Sequence, residues 1–265
     1  MDATLNGHRC HYTESGSSSG LPVVFIHGFP FSQATWQAQL QALPGEFRAI
    51  AYDIRGHGAS AVGDGHYTIE LFVDDLLALL DHLGIDAAVL CGLSMGGYIA
   101  LRAAERDPGR VRAMILCDTQ SASDSNAAKL GRAAGIRQIQ IAGTTAFVDG
   151  LLPKLFTAES IRTGTAAVDL IRRMMQATDP LAIAGTLLAL AARTDTTAAL
   201  ADMDQPVLLL FGEEDPITPP DSGRQMLAAL PHATLELIPR AAHVSNLENP
   251  EDFNRHLLSF LGKIV

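Results

Sequence analysis

Short unbroken apolar runs recur along the chain, each closed off by glycine, proline or aspartate, and between them lie longer stretches with apolar residues three and four apart. The runs cover residues 23–26 (VVFI), 47–52 (FRAIAY), 87–91 (AAVLC), 111–117 (VRAMILC), 207–211 (VLLLF) and 234–238 (TLELI). A strand with apolar side chains on both faces must be covered on both sides, which is the condition of a parallel sheet between helical layers. The intervening stretches 32–43, 69–83, 95–107, 220–230 and 250–261 supply those layers, several with Ser, Thr or Asp at the start and Pro or Gly at the end. The alternation predicts an α/β fold.

One segment breaks the rhythm. Residues 121–202 contain no strand-like run and shift to Ala, Leu, Thr and Arg at helical spacing. The segment opens on a polar, loop-like stretch (SASDSNAAKL), and Gly143, Gly150, Pro153, Gly164 and Pro180 are expected to divide the rest into short helices. At about 80 residues it far exceeds an ordinary connection between strands. It is read as a helical cap, with 1–120 and 203–265 together forming the core domain.

Composition narrows the partners. Of 265 residues, 48% are hydrophobic and 18% charged, enough apolar material for a packed core and too little charge for a disordered chain. Lys and Arg total 19 against 29 Asp and Glu, and the formal charge of −10 repels nucleic acid and anionic lipid. The longest helical apolar segment, 181–192, spans about 12 residues where a bilayer crossing needs about 20. No membrane span is expected, and the opening MDATLNGHRC has no basic leader or apolar signal, so a cytoplasmic location is expected. Cys91 and Cys117 end apolar runs and read as small hydrophobes. No CxxC or HExxH spacing occurs, so no metal and no cofactor are expected.

The strongest chemical signal is AAVLCGLSMGG, where Gly92, Ser94 and Gly96 form G-x-S-x-G between a strand-like run and a helix-like one. A serine on so tight a turn is backbone-strained, and glycines two residues either side let the neighbouring chain pass. The Met95 N–H then opens the helix and faces any oxygen that gains negative charge beside Ser94. A serine hydroxyl needs a base, and the base needs a carboxylate to fix its tautomer.

Of nine histidines, His243 (PRAAHVSNLENP) follows the last strand-like run and so lies at the same sheet edge as Ser94. His8, His11, His66, His82, His232 and His256 read as surface or packing residues. Asp215 (LLLFGEEDPITP) is the first choice of carboxylate, with Glu213, Glu214 and Asp118 as alternatives. The second oxyanion donor is expected from VVFIHGFPFS, where Gly28 permits the turn and the Phe29 N–H points inward. His27 reads as a structural hydrogen-bonding residue, and Arg55 and His57 of DIRGHGAS as ties between loops.

With these residues in view, the chain resembles the α/β-hydrolase superfamily along nearly its whole length: HGFP, DIRGHGAS, GLSMGG, GEEDPITP and AAHVSNLENP occur in the family's order. It is most similar in look to small carboxylesterases and 3-oxoadipate enol-lactonases, through GLSMGG and the H-x-S-N-x-E-x-P ending. The resemblance implies an α/β-hydrolase fold: a mostly parallel eight-stranded sheet flanked by helices, its first strands near residues 4–14, with a helical cap inserted after strand 6. It also implies Ser94, Asp215 and His243 as a catalytic triad.

A serine nucleophile argues against the aspartate-dependent dehalogenases and epoxide hydrolases. The expected activity is cleavage of a small-molecule carboxylic ester through an acyl-enzyme by a monomer or homodimer. Enol-lactone hydrolysis, serine C–C hydrolysis, cofactor-free haloperoxidase or perhydrolase activity, and ligand binding without turnover are the alternatives. Phe147, Leu151, Phe156 and Val244 are expected to line the ester pocket. A lactonase would need a cation for its substrate's carboxylate, and the cap offers Arg132, Arg137, Arg162, Arg172, Arg173 and Arg193 without distinguishing among them.

Overall fold

The first sixteen residues alternate buried and exposed positions and turn back at Asn6-Gly7, where both residues take positive φ (46° and 78°). That is the two-residue hairpin turn favoured by Asn-Gly, and it joins β1 (Asp2–Leu5) to β2 (His8–Gly16) in the computed structural model, which describes residues 1–264. The expected strands at the start of the chain are therefore present, announced by their turn rather than by apolar runs.

The remaining strands are β3 (Leu21–Ile26), β4 (Phe47–Tyr52), β5 (Ala88–Leu93), β6 (Val111–Cys117), β7 (Val207–Gly212) and β8 (Ala233–Ile238). They form one eight-stranded sheet in the order β1-β2-β4-β3-β5-β6-β7-β8, antiparallel at β1–β2 and β2–β4 and parallel elsewhere. Period two divides the strand side chains between two apolar clusters. Val24, Ile26, Leu90 and Leu209 pack on one face with Leu76, Leu79 and Ile99. Val23, Phe25, Cys91 and Leu208 pack on the other with Trp36, Phe253 and Leu257.

The first face is covered by α2 (Ile69–His82), α3 (Met95–Arg106) and, through Met226, α8 (Pro220–Ala229), and the second by α1 (Gln37–Ala42) and α10 (Pro250–Leu261). Thr68 stops the chain before α2 by accepting the Leu71 N–H at 3.0 Å, satisfying one of the donors left free in a first turn. Chain order reverses between β3 and β5, so the crevice beyond their C-terminal ends is where an open α/β sheet receives ligands.

Between β6 and β7 lie α4 (Asn126–Leu155), α5 (Ala158–Thr163), α6 (Ala166–Ala177) and α7 (Pro180–Ala191). The expected breakers divide this insertion unequally. Gly143 bends α4 (φ 74°, ψ −177°), Gly164 closes α5 in the left-handed region, and Pro180 opens α7. Gly150 and Pro153, expected to interrupt, lie inside the second half of α4 instead, and the chain stays helical to Leu155. The loop expected over 121–130 is also shorter, because Ser125 accepts the Ala128 N–H at 3.2 Å and starts α4 at Asn126.

Buried residues of the insertion join both apolar clusters of the sheet, Ile183 and Leu187 one and Leu152 and Met175 the other. The last elements are α8 (Pro220–Ala229) and α9 (Ser245–Glu248). Among the described residues no single helix is long and apolar enough to cross a membrane.

Candidate active site

Ser94 sits between β5 and α3 at φ 51°, ψ −111°, a conformation that costs a non-glycine residue roughly 1–3 kcal/mol. Two glycines make the turn possible. A Cβ on Gly92 would fall 2.3 Å from the Gly96 carbonyl oxygen, and one on Gly96 would fall 2.1 Å from that of Ile26. The strained residue is held from β6: its N–H donates to the Cys117 carbonyl at 2.9 Å and its carbonyl accepts from Thr119 Oγ1 at 2.7 Å.

The loops after β7 and β8 bring the other two groups to Ser94. His243 Nε2 lies 2.9 Å from Ser94 Oγ, and His243 Nδ1 lies 2.8 Å from Asp215 Oδ2. Asp215 also accepts from Thr218 Oγ1 at 2.7 Å and from the N–H groups of Ile217 and Thr218 at 2.8 and 3.1 Å. Burial works against its charge, but the His243 ring beside it and these donors hold its pKa below the ordinary 3.8, so it stays ionised. An ionised Asp215 fixes the proton of neutral His243 on Nδ1 and leaves Nε2 free to accept from Ser94. Burial also pushes His243 down, but the charge and hydrogen bond of Asp215, aided by Asp118 and opposed by Arg132, outweigh it and raise its pKa above 6.5.

The alternative carboxylates are not bonded to His243. Glu213 and Glu214 are exposed. Asp118 is buried, but its oxygens are bonded to Gly212 N–H at 2.7 Å and Ser245 Oγ at 2.6 Å. Phe29 and Met95 line the cavity in front of Ser94, and among the described residues neither backbone N–H has an intramolecular acceptor.

His27 accepts the Ile54 N–H at 3.0 Å through Nε2 and donates from Nδ1 to the Gly28 carbonyl, and burial holds its pKa down at about 4. His57 donates to the Arg55 carbonyl and is held neutral by burial, at about 3. Arg55 grips Asp75 of α2 through two bonds of 2.8 and 2.7 Å. All three fasten loops around the site, the role their sequence context suggests.

The ending H-x-S-N-x-E-x-P acts as a set of fasteners for His243. Asn246 Nδ2 donates to the Thr35 carbonyl at 2.8 Å. Glu248 accepts the Ala242 N–H on one oxygen at 2.6 Å, and on the other accepts the N–H and hydroxyl of Thr157, both at 3.0 Å. Thr157 belongs to the insertion, so one carboxylate joins the insertion to the residue preceding His243.

The cavity in front of Ser94 measures about 310 Å³. The bend at Gly143 lets both halves of α4 wall it: Ala128, Gly131, Arg132 and Gly135 from the first, at helical spacing, and Phe147, Leu151, Lys154 and Leu155 from the second. Phe147 and Leu151 therefore line it. Phe156 and Val244 do not; they are 3% and 0% exposed and packed in the apolar cluster on the α10 face of the sheet. Tyr98, one helical turn beyond Ser94 on α3, also lines the cavity, as do Leu187 and Leu190 of α7 and Ile217 beside Asp215.

Arg132 is the one expected arginine that reaches the cavity, and Lys154 reaches it as an exposed residue. Arg132 shares Asp124 with buried Arg193, whose guanidinium lies 4.2 Å over the Tyr98 ring. Two guanidinium groups around one carboxylate leave an excess positive charge beside a cavity lined mostly by apolar residues. Among the described residues no group of three or more His, Cys, Asp or Glu is arranged to hold a metal ion.

Residues 23–256 match the family model described as "Alpha/beta hydrolase family". The chain is 31% identical over 258 residues to 3-oxoadipate enol-lactonase 2 of Acinetobacter baylyi, covering 96% of this chain and 91% of that one. Among solved structures it is similar to a malate-bound thermophilic esterase from Thermogutta terrifontis, with TM-score 0.94, 33% identity, and 100% and 98% of the two chains covered. It is also similar to the enol-lactonase from Burkholderia xenovorans, with TM-score 0.92, 30% identity, and 99% and 100% covered.

Proposed function

Since the chain belongs to the alpha/beta hydrolase family and is an enzyme of ester bonds, we propose that it cleaves small carboxylic esters through an acyl-enzyme on Ser94. The 2.9 Å contact of His243 Nε2 with Ser94 Oγ, backed by Asp215, carries this reading. Ser94 Oγ attacks the ester carbonyl carbon while its proton passes to His243 Nε2, and the carbonyl electron pair moves onto oxygen. The N–H groups of Phe29 and Met95 stabilise that oxyanion. Its collapse breaks the bond to the alkoxy group, which leaves with the proton from His243. Water then gives a proton to His243 and attacks the acyl carbon; the acid departs and Ser94 regains its proton. Helices α4 and α7 act as a cap over this chemistry, and a cytoplasmic location suits three cysteines that are all free and buried.

His243 accepts the proton only when neutral, so kcat/KM for p-nitrophenyl butyrate rises with pH until the ring is deprotonated. Because its pKa is raised, the acid limb has its midpoint above 6.5, with activity falling about tenfold per pH unit below it. A pH–rate profile over pH 5 to 9 checks this. Flat activity across that range, or stoichiometric ester binding without turnover, contradicts the mechanism.

A second reading, an ester or lactone whose acyl part carries its own carboxylate, is favoured by Arg132 and Lys154 at the cavity and by the enol-lactonases among its relatives. A carboxylate placed there would pair with cations in a largely apolar setting. Monoethyl adipate is then preferred over diethyl adipate in kcat/KM. Replacing both Arg132 and Lys154 by Gln lowers that preference by about 10- to 100-fold, the size of one or two charge-assisted hydrogen bonds. An unchanged ratio of the two rates rules this reading out.

A further inference from the structure

Asp118 directly follows β6 and is fully buried, at φ 45° in the left-handed region that a side chain disfavours. Its place is unusual among its neighbours. Cys117 before it accepts the Ser94 N–H, and Thr119 after it donates to the Ser94 carbonyl. Asp118 itself reaches the other two loops. Oδ1 accepts the Gly212 N–H at 2.7 Å, at the point where β7 gives way to the loop bearing Asp215. Oδ2 lies 2.6 Å from Ser245 Oγ and 3.3 Å from the Ser245 N–H, two residues beyond His243. Three consecutive residues thus hold Ser94, the Asp215 loop and the His243 loop. The Asp215 and His243 loops are also tied to each other, through the His243–Asp215 bond and through the N–H groups of Glu213 and Glu214, which donate to the Ile238 and Ala241 carbonyls, but none of these bonds reaches β6.

We infer that Asp118 is a positioning residue: from the end of β6 it sets where Asp215 and His243 stand relative to Ser94. This rests on the serine mechanism proposed above. A base displaced by about an ångström forfeits on the order of a hundredfold in rate, so one carboxylate that locates two of the three groups has leverage over kcat without touching substrate. Its chemistry suits a fixed brace. The groups that face it are Asp215 and His243 from the two loops, and Cys117 on its own strand. Burial and the charge of Asp215 push Asp118 up to about 8 against the opposing pull of His243, Ser245 and Gly212. Ser245 Oγ donates to Oδ2, and an asparagine keeps both side-chain bonds: its oxygen accepts the Gly212 N–H, and its amide donates to the Ser245 hydroxyl, which turns to accept.

The test compares Ser245→Ala, Asp118→Asn and Asp118→Ala with the wild type, each with its fold checked by thermal melting. Two readouts are taken: kcat and KM for p-nitrophenyl butyrate, and the NMR titration of the His243 ring. Ser245→Ala keeps Asp118 but cuts its hold on the His243 loop. It is expected to lower kcat about tenfold or more with KM within about twofold, and to move the His243 titration down by about one pH unit as its bond to Asp215 slackens. Asp118→Ala is expected to lose about a hundredfold in kcat, and Asp118→Asn to recover most of it. A folded Ser245→Ala with kcat and the His243 titration both unchanged would overturn the inference, even if Asp118→Ala failed to fold. The titration does not depend on turnover: a shift in Ser245→Ala in a wild-type background inactive on every ester would support the role of Asp118 and overturn the serine ester reading instead.

Discussion

Ser94→Ala is expected to lower kcat for p-nitrophenyl butyrate by about four to six orders of magnitude, the loss of a nucleophile that acts as a unit with its base. Oγ is the only atom removed. The substitution leaves the Cys117 and Thr119 bonds that fix the backbone of residue 94, so the turn and the cavity persist and the Phe29 and Met95 N–H groups stay in place. What activity survives is water attacking an ester held by those donors, and KM therefore changes little. Side-by-side assays of the two proteins, with matching circular dichroism, decide the matter. A variant that retained activity within tenfold would move the nucleophile elsewhere.

Asp215→Asn is expected to cost about 10³- to 10⁴-fold in kcat at neutral pH. The N–H groups of Ile217 and Thr218 both point at Oδ1, so the amide oxygen takes that place and the NH₂ turns to His243 Nδ1. Nδ1 must then accept, which puts the ring proton on Nε2, facing Ser94 Oγ where a lone pair is required. Asp118 cannot take over, because its two oxygens are bonded to Gly212 and Ser245. Raising the pH does not restore the lost rate, since the fault is the tautomer and not the charge of the ring. A pH profile of the variant measures this, and an activity within tenfold of wild type would show that Asp118 or another acid serves His243.

The parts of this protein that could be read along the chain are those whose physics is local. The turn at Ser94 requires glycines on either side within a few residues, and the parallel strands are apolar on both faces, so both leave a compact trace. The N-terminal hairpin leaves a different one. HRCHYTES is too polar for a buried run because β2 pairs near the sheet's edge, yet Asn6-Gly7 marks its turn.

The cavity wall was only half legible, for a geometrical reason. Phe147, Leu151 and Phe156 are alike in chemistry, but Phe156 stands past the end of α4, where the helical spacing that carries Phe147 and Leu151 to the cavity no longer applies. The arginines needed their partners before they could be told apart. Arg162 is taken up by Glu159 and Arg172 by Asp149, Arg193 is buried on Asp124, and Arg132 alone of the six combines a shared carboxylate with a place at the cavity. A lone exposed lysine has no signature in the sequence, and Lys154 reaches the cavity from the half of α4 beyond the bend at Gly143.

Glu248 limits how freely specificity can be exchanged within this scaffold. A chimera that replaced residues 121–202 with the corresponding segment of another hydrolase would import a new pocket, but it would also import whatever residue then stood at position 157. Unless that residue offered a hydroxyl beside its backbone N–H, the carboxylate would lose one of these three hydrogen bonds one residue away from His243. Transplants that carry positions 157 and 248 as a matched pair would keep the turnover of the recipient, and those that separate them would change substrate range and rate together.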